Sequence, residues 1–431
     1  MRGIFILKNL FEVHQALLDD QSEHIVLVLI DGLGYYNLEA YQQEMPFLAS
    51  HWAEIQPVQT TLPSTTAVAI PSFLLGQPAK QTGFWGYSLN YQQKRVQALN
   101  VPGEVGLPFI NPVHNLFSQK NLQGYYSYSF GMSKFAKTAF NQILTAGSQF
   151  IGHSRSKYPL IAYQEAQAAG VIAGPSLTYV YVGDLDQSAH HNGVGSEKFL
   201  TELRKFDQVL EEIVGIKNAS VSATSSISTS VTTHAGVRLP AGVANAHNTT
   251  YYIIADHGSV NVDLTHQVDI QNYPKLVDAI ALMTGEPRLP YLYGNPEQLL
   301  SLSQKYLSDD FEILTRDQFI SLTDNDSSDT NLENTSAAGD SSDQNDPEIS
   351  KVRDSSLAKN SPRLSIANGP TANGYQPTAN LVGDVVLIPR STATLVDSKT
   401  MLDNAMTLKA VHGANSRTER IVPFLKLSTN C

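Results

Sequence analysis

Three apolar, β-prone runs in this chain each lead to an aspartate, and this repeated pattern limits the possible fold more than any other feature. The runs and their aspartates are residues 25–30 with Asp31, residues 179–182 with Asp186, and residues 251–255 with Asp256. Uninterrupted apolar runs rich in valine, isoleucine and tyrosine indicate strands of a parallel sheet that is buried on both faces. Ligands of such sheets bind beyond the carboxyl ends of the strands, where the aspartates would lie. We therefore expect an α/β fold with a site at that edge.

Two of the three aspartates have a histidine at a spacing suited to metal binding. His190 follows Asp186 by four residues, and His257 directly follows Asp256. A single aspartate after a strand is usually a turn former or a helix cap, and adjacent Asp-His pairs also occur by chance. Three such strand ends are hard to explain as caps. Mixed oxygen and nitrogen donors favour Zn²⁺ or Mn²⁺ over Ca²⁺, so the pattern predicts a two-metal enzyme.

A cluster of hydroxyl side chains, ending with Ser64, Thr65 and Thr66, precedes an apolar stretch that has a helical pattern. One interpretation is a helix N-cap, for which serine and threonine are strongly favoured. The other is a nucleophile. A hydroxyl at a helix N-terminus faces free N–H groups and the positive end of the dipole, which stabilise an alkoxide and bind an anionic phosphoryl group. Position alone supports both interpretations equally.

The overall composition excludes several classes of protein. The 431 residues, 42% of them hydrophobic, suffice for one large or two ordinary α/β domains. A formal net charge of −11 argues against binding to nucleic-acid polymers or to anionic membrane surfaces. The single cysteine, Cys431, excludes a disulfide framework and a cysteine-based zinc site. Because we find neither a signal-peptide pattern nor 18 consecutive apolar residues, we expect a cytoplasmic protein without membrane insertion.

Strand-like and helical patterns alternate from residue 25 to about residue 215, and residues 197–213 form the clearest amphipathic helix. Two segments interrupt this order. Residues 217–250 are rich in serine, threonine and alanine and predict a surface loop. Residues 324–375 are dominated by serine, aspartate, asparagine and glycine and predict a disordered insertion. Ordered sequence returns at residues 382–389, so we expect one domain over residues 1–431 with two insertions.

The order of these motifs resembles the alkaline phosphatase superfamily, and most closely its type I phosphodiesterase/nucleotide pyrophosphatase branch. The resemblance covers about residues 26–425 apart from the two low-complexity segments, and it implies a three-layer αβα sandwich with a mainly parallel central sheet. The motifs, in chain order, are Asp31-Gly32, Pro63-Ser64-Thr65-Thr66 with Gly76, Asp186-x-x-x-His190-x-x-Gly193-x-x-Ser196, Asp256-His257-Gly258 and His412-Gly413.

The resemblance also implies two metal sites and a threonine nucleophile. Thr66 is preferred over Thr65 because the family's threonine precedes a glycine by ten residues and follows a proline by three, as Thr66 does here. The implied cofactors are two divalent metal ions, Zn²⁺ first and Mn²⁺ as the alternative. The implied ligands are Asp186, His190 and His412 for one ion, and Asp31, Asp256, His257 and Thr66 for the other.

The activity implied is hydrolysis of a small phosphodiester or of a nucleotide pyrophosphate bond through a phosphothreonine intermediate. Tyr87 takes the place of an asparagine that binds a phosphoryl oxygen in the family's nucleotide pyrophosphatases, so the substrate stays open. No Cys/Ser-x-Pro-x-Arg motif of a sulfatase is present in the nucleophile region. A phosphomonoesterase on the same metals and a catalytically silent metal-binding relative are the alternatives. Arg288 either steers phosphate or forms a structural ion pair, and His191 is expected to lie outside the ligand set.

Overall fold

The computed structural model of the protein describes residues 7–103, 115–222, 248–326, 381–400 and 407–429. Side chains in the helices that end at residues 222 and 326 are described as far as residues 215 and 323. The strands in these ranges are β1 His24–Ile30, β2 Gln56–Gln59, β3 Ser88–Tyr91, β4 Lys94–Gln97, β5 Tyr126–Met132, β6 Gln149–His153, β7 Ser176–Val182, β8 Thr249–Ala255, β9 Val260–Asn261, β10 Gln267–Asp269, β11 Ile280–Glu286, β12 Leu289–Gly294, β13 Phe311–Thr315, β14 Val385–Pro389, β15 Thr394–Val396, β16 Ala410–Val411 and β17 Ile421–Thr429.

Helices connect most of these strands. The α-helices are α1 Leu10–Asp19, α2 Tyr35–Ala40, α3 Pro46–Ser50, α4 Thr66–Leu75, α5 Ala79–Thr82, α6 Leu116–Leu122, α7 Ala139–Leu144, α8 Pro159–Ala168, α9 Asp184–Asn192, α10 Glu197–Ser222, α11 Pro274–Ala279, α12 Pro296–Leu307, α13 Arg316–Asp326 and α14 Arg417–Arg420. Within the described ranges, no helix is both long and apolar enough to cross a membrane.

Seven strands form one large sheet in the order β2-β17-β8-β1-β7-β5-β6. β1 pairs in parallel with β7 and β8, and parallel pairing continues through β5 to β6. At the other side β17 is antiparallel to β8 and to β2. All of β8 and all of β1 except His24 are buried, as expected for central strands covered on both faces. The predicted α/β class with a mainly parallel central sheet is confirmed, and the three apolar runs lie in β1, β7 and β8.

Helix α10 begins at the predicted position, Glu197, and its buried residues recur at three- and four-residue spacing. The helix continues to Ser222, and β8 begins at Thr249. The predicted loop over residues 217–250 is therefore wrong at both ends. Once a helix is nucleated, each further residue adds a backbone hydrogen bond at little cost, so it can extend through a polar sequence. Residues 223–247 lie outside the described residues.

A second, six-stranded sheet in the order β13-β14-β12-β11-β3-β4 was not predicted. All of its pairings are antiparallel. Its two faces bury different clusters: Val386 and Ile388 of β14 pack with Trp85, whereas Val385 and Leu387 pack with Phe311. Local patterns did not indicate this sheet because its strands are short and pair across long separations, as Ser88 does with Gly285.

The predicted disordered insertion over residues 324–375 is not tested. Helix α13 extends to Asp326, and residues 327–380 lie outside the described residues.

Candidate active site

Strand register places two of the aspartates side by side. Ile30, the last residue of β1, pairs with Val182 at the end of β7 and with Ala255 at the end of β8. Asp31 directly follows Ile30, and Asp256 directly follows Ala255. Both aspartates are buried. Because the three strands end at the same level, the residues that follow meet at one edge of the sheet.

Helix α9 brings Asp186 and His190 to the same edge. Their spacing of four residues puts both side chains on one helical face, and His190 Nε2 lies 3.2 Å from Asp186 Oδ2. His190 Nδ1 is 2.7 Å from the Ala410 carbonyl oxygen. That oxygen can only accept, so Nδ1 carries the proton and Nε2 is directed to the site.

His412 reaches the site on a short ribbon in which Val411 of β16 pairs with Val260 of β9. Its ring stacks on that of His257, with centroids 3.6 Å apart and planes inclined by 20°. His412 Nε2 lies 3.9 Å from Asp186 Oδ1. On its other side, Nδ1 lies 3.2 Å from the Ser64 carbonyl oxygen, which holds the ring in place.

The structure separates the two adjacent threonines. Thr65 is the N-cap of α4, without a side-chain capping bond, and Thr66 is the first helical residue. Thr66 Oγ1 lies 3.0 Å from His257 Nε2 and 3.3 Å from Asp31 Oδ1. The Thr65 hydroxyl is instead hydrogen-bonded to Glu286. Thr66 is thus the hydroxyl that faces the ligand cluster.

The six predicted ligands converge, and their donor set fits divalent cations. Asp186 Oδ1 and Asp256 Oδ2 are buried without a hydrogen-bond partner. A buried carboxylate oxygen is costly unless it is paired or binds a metal, so both atoms suit a cation. Donor atoms within 4.8 Å of one another define two groups, Asp31 with Asp256 and His257, and Asp186 with His257 and His412.

The second group differs from the predicted set, because His257 stands where His190 was expected. The division of ligands between two ions therefore stays a prediction.

One half of the cluster is more open than the other. The side chains of Asp31, Asp256 and His257 are at most 5% exposed. Asp186 is 15% exposed and His190 22%. Water therefore reaches the Asp186 half of the site more easily.

The charges in the cluster are strongly coupled. Burial and the neighbouring Asp31 carboxylate raise the pKa of Asp256 to about 8. Burial opposes a charge on His257, yet Asp256 and Asp31 raise its pKa to about 10. Burial and the charge on His257 lower the pKa of His412. Shifts of opposite sign in one buried group of side chains are typical of functional sites, and a bound cation would change this balance.

Sequence reasoning missed two residues beside the candidate ligands. The Tyr181 hydroxyl donates a hydrogen bond to Asp31 Oδ2. Glu286, at the end of β11, accepts the Tyr87 backbone N–H at 3.0 Å, and its Oε2 lies 3.8 Å from His412 Nδ1. Burial raises the pKa of Glu286 to about 7. The only sequence signal for Tyr181 was its place in an apolar run close to Asp186, and Glu286 carried none.

A glycine accommodates Glu286 next to His412. Gly413 has φ +125°, and a Cβ added there would lie 3.1 Å from the Glu286 side chain. A larger residue would meet both backbone strain and this contact.

Arg288 forms a structural ion pair and does not face the cluster. Its guanidinium makes two bonds to the Glu419 carboxylate, at 3.1 and 2.6 Å, and both side chains are almost fully buried. Glu419 also accepts the Ala414 backbone N–H at 3.0 Å, which ties the segment after His412 to this pair.

The remaining residues singled out from the sequence lie at the edge of the site or outside it. His191 is exposed, with Nδ1 2.7 Å from the Gln187 carbonyl oxygen. Tyr87 is half-buried, and its backbone contacts Glu286. Its role toward a phosphoryl oxygen stays a prediction.

Comparison with known proteins agrees with the fold and the motifs. The family model of type I phosphodiesterase / nucleotide pyrophosphatase matches residues 25–218. Among solved structures, murine ectonucleotide pyrophosphatase / phosphodiesterase 5 is similar at a TM-score of 0.60 and 10% identity, over 93% of this chain and 87% of that one. An inactive threonine-to-alanine variant of that protein in complex with AMP matches equally, over 94% and 87%.

A second kind of structure is also similar. Phosphonoacetate hydrolase from Sinorhizobium meliloti, in complex with phosphonoacetate, has a TM-score of 0.58 and 14% identity over 95% of this chain and 90% of that one. Similarity at such low identity shows the fold. No curated protein matches the chain by sequence.

The solved structures show that the chain has the fold of those hydrolases. Residues 25–218 are similar to the type I phosphodiesterase / nucleotide pyrophosphatase family, the branch that the motifs predicted.

Proposed function

We propose that this chain hydrolyses phosphodiester or nucleotide pyrophosphate bonds of small molecules through a phosphothreonine formed on Thr66. The observation that carries the proposal is the position of Thr66 Oγ1, 3.0 Å from His257 Nε2 and 3.3 Å from Asp31 Oδ1 at the start of a ten-residue helix. A hydroxyl is a weak nucleophile unless its environment stabilises the alkoxide. A bound metal ion and a helix N-terminus would both do so.

Two divalent cations fit the donor set. The proposed holders are Asp31, Asp256, His257 and Thr66 for one ion, and Asp186, His190 and His412 for the other. When bound, the cations supply positive charge that lowers the pKa of the Thr66 hydroxyl and neutralises phosphoryl oxygens. The three carboxylates and an alkoxide on Thr66 carry four negative charges, which two divalent cations balance. Imidazole and carboxylate donors favour Zn²⁺, with Mn²⁺ as the alternative.

The reaction proceeds in two displacements at phosphorus. First, Thr66 Oγ1 attacks, its proton passes to solvent, and the bond from phosphorus to the leaving oxygen breaks. The departing alkoxide takes up a proton from solvent and leaves as an alcohol or a phosphate. Water then attacks the phosphothreonine, the bond from phosphorus to Thr66 breaks, and Thr66 regains a proton. Two in-line displacements give net retention of configuration at phosphorus.

The bonding of the buried arginine side chains supports phosphodiesters over phosphomonoesters as substrates. A monoester dianion carries one more negative charge than a diester and is usually bound with the help of arginine. The buried arginines in the described part of the chain are bonded to protein groups: Arg288 binds Glu419, and Arg420 donates to the Thr60 carbonyl at 2.8 Å.

Comparison of two threonine variants tests the nucleophile. Thr66→Ala should reduce turnover of bis-p-nitrophenyl phosphate by at least ~10³-fold while the metal content stays unchanged. Thr65→Ala removes the hydroxyl bonded to Glu286 and should have a much smaller effect. Quenched wild-type reactions, digested and analysed by mass spectrometry, should contain phosphate on the peptide with Thr66. The reverse ranking of the two variants would show that the wrong hydroxyl was chosen.

Comparison of two chromogenic substrates tests the reaction class. The specificity constant for bis-p-nitrophenyl phosphate should exceed that for p-nitrophenyl phosphate. A clear preference for the monoester would make the protein a phosphatase on the same metal site. A metal-loaded protein that hydrolyses neither ester, nor nucleotides or dinucleotides, would be a silent relative.

A further inference from the structure

An apolar pocket opens directly beside Thr66. It contains about 640 Å³ of empty space, a figure that includes space open to solvent. Thr66, Ile70 and Leu74 line one wall. They lie four residues apart on one face of α4, so the pocket follows that helix for about 12 Å at the usual rise per residue.

The other walls are largely aromatic. Most of these residues lie in or next to β5, α7, β6 and β7, and they include Phe135, Phe140 and Phe150. Phe135 and Phe150 are half-buried, so they lie toward the open side, whereas Leu74 and Leu144 are buried. No charged side chain is among the described residues that line the pocket.

Most hydroxyl groups in the lining are already bonded within the protein. A nucleobase has several polar edge atoms, and each would lose its hydrogen bond to water without a partner in the pocket. Asn141 contributes the one side-chain amide among the described lining residues. The bonded hydroxyls are Ser129 with Ser148 at 2.8 Å, Thr138 with the Phe135 carbonyl at 3.1 Å, Thr145 with the Asn141 carbonyl at 2.8 Å, and Tyr181 with Asp31.

We infer that this pocket binds an apolar organic group of the substrate, an alkyl or acyl chain, so that the site prefers phosphodiesters with such a group over nucleotides. The inference rests on the proposed function, because the pocket begins at the proposed nucleophile. A chain that extends from phosphorus along α4 would replace water against Ile70 and Leu74. Each methylene buried in this way should raise kcat/KM roughly two- to fourfold.

A series of p-nitrophenyl alkyl phosphates tests the inference. The methyl, butyl and octyl esters share one leaving group and one negative charge and differ only in the apolar chain. Below the concentration at which the octyl ester aggregates, kcat/KM should rise at least tenfold from methyl to octyl, given roughly a twofold gain per buried methylene. The octyl ester should also exceed the p-nitrophenyl ester of thymidine 5′-phosphate. A flat series, or a preference for the thymidine ester, would overturn the inference.

The same experiment separates the two proposals. Hydrolysis of the methyl ester without a gain for the octyl ester would leave the diesterase function intact and reject the apolar pocket. If no ester is hydrolysed, calorimetric binding of octyl phosphate and AMP to the metal-loaded protein still decides the pocket. The inference expects tighter binding of octyl phosphate, and tighter binding of AMP would reject it.

Substitutions of residues that line the pocket test whether the gain in kcat/KM from the methyl to the octyl ester arises there. Phe150→Ala should lower the octyl-to-methyl ratio about fivefold or more, since part of the apolar wall is lost. Phe47→Ala, at another half-buried phenylalanine that packs against His51, should leave the ratio unchanged. Asn141→Leu should raise the ratio. If both pocket variants fold, as judged by thermal unfolding, and neither changes the ratio, the alkyl chain does not bind here.

Discussion

At the scale of single residues, both carboxylate oxygens of Asp31 contact neighbouring side chains. One carboxylate oxygen faces Thr66 and His257, and the other accepts the hydroxyl of Tyr181. Burial and the nearby Asp31 charge raise the pKa of Tyr181 far above its usual value, so the hydroxyl keeps its proton and remains a donor. A tyrosine therefore fixes the orientation of a proposed metal ligand.

Tyr181→Phe should weaken metal binding and lower kcat, each by about 10- to 100-fold, because partners of metal ligands usually contribute that much. Competition with a chromogenic chelator would measure the metal affinity, and steady-state kinetics on bis-p-nitrophenyl phosphate would measure kcat. Tyr128→Phe is the control, since that hydroxyl on β5 accepts the Ala173 backbone N–H at 3.1 Å. Unchanged affinity and turnover in Tyr181→Phe would show that Asp31 does not need this bond.

At the scale of elements, the ion pair between Arg288 and Glu419 holds the segment that carries His412. It joins the turn between β11 and β12 to helix α14, and Arg288 also donates to the carbonyl of Ala393 at 2.9 Å. A buried pair of this kind is costly to break, because the remaining charge loses its partner in a low-dielectric environment.

Arg288→Met should lower the free energy of unfolding by about 3–5 kcal/mol, since it leaves Glu419 buried without its cation. Urea unfolding followed by circular dichroism would measure the loss. Arg204→Met removes an exposed arginine that bonds to Glu44 and Glu197 and should change stability little. If Arg288→Met lowered the free energy of unfolding no more than this control, the bonds of Glu419 to Ala414 and Ser416 would be sufficient to stabilise its buried carboxylate without Arg288.

At the scale of the whole molecule, the site is assembled from parts of the chain that are far apart in sequence. The large sheet places Asp31 and Asp256, helix α9 adds Asp186 and His190, and the ribbon of β9 and β16 adds His412. The second sheet contributes Glu286 at the end of β11. Metal content is therefore a test of the overall fold as well as of the site.

Purified protein should hold close to two divalent ions per chain, and His412→Ala should lose about one of them, because one proposed site keeps only two protein ligands. Elemental analysis after gel filtration would measure both values. His191→Ala, at the exposed histidine next to His190, should retain the wild-type content. Full occupancy in His412→Ala would mean that this histidine is not a ligand.

The sequence by itself determined the strands that build the site and the residue types that meet at their ends. The runs that form β1, β7 and β8 were recognisable because continuous apolar sequence is a local property of strands buried on both faces. The spacing of Asp186 and His190 was equally local, since a helix places residues four apart on one face. Chain order then related these motifs to a known superfamily.

Only the tertiary structure decided which neighbours those motifs have. The family spacing already preferred Thr66 over Thr65, but the contacts of Thr66 with Asp31 and His257 depend on how α4 is oriented. Glu286 and the second sheet carried no local signal, and Tyr181 none beyond its place in an apolar run, because their contacts join residues up to about two hundred positions apart. Local periodicity records which side of an element is buried, whereas strand register and helix packing determine what that side contacts.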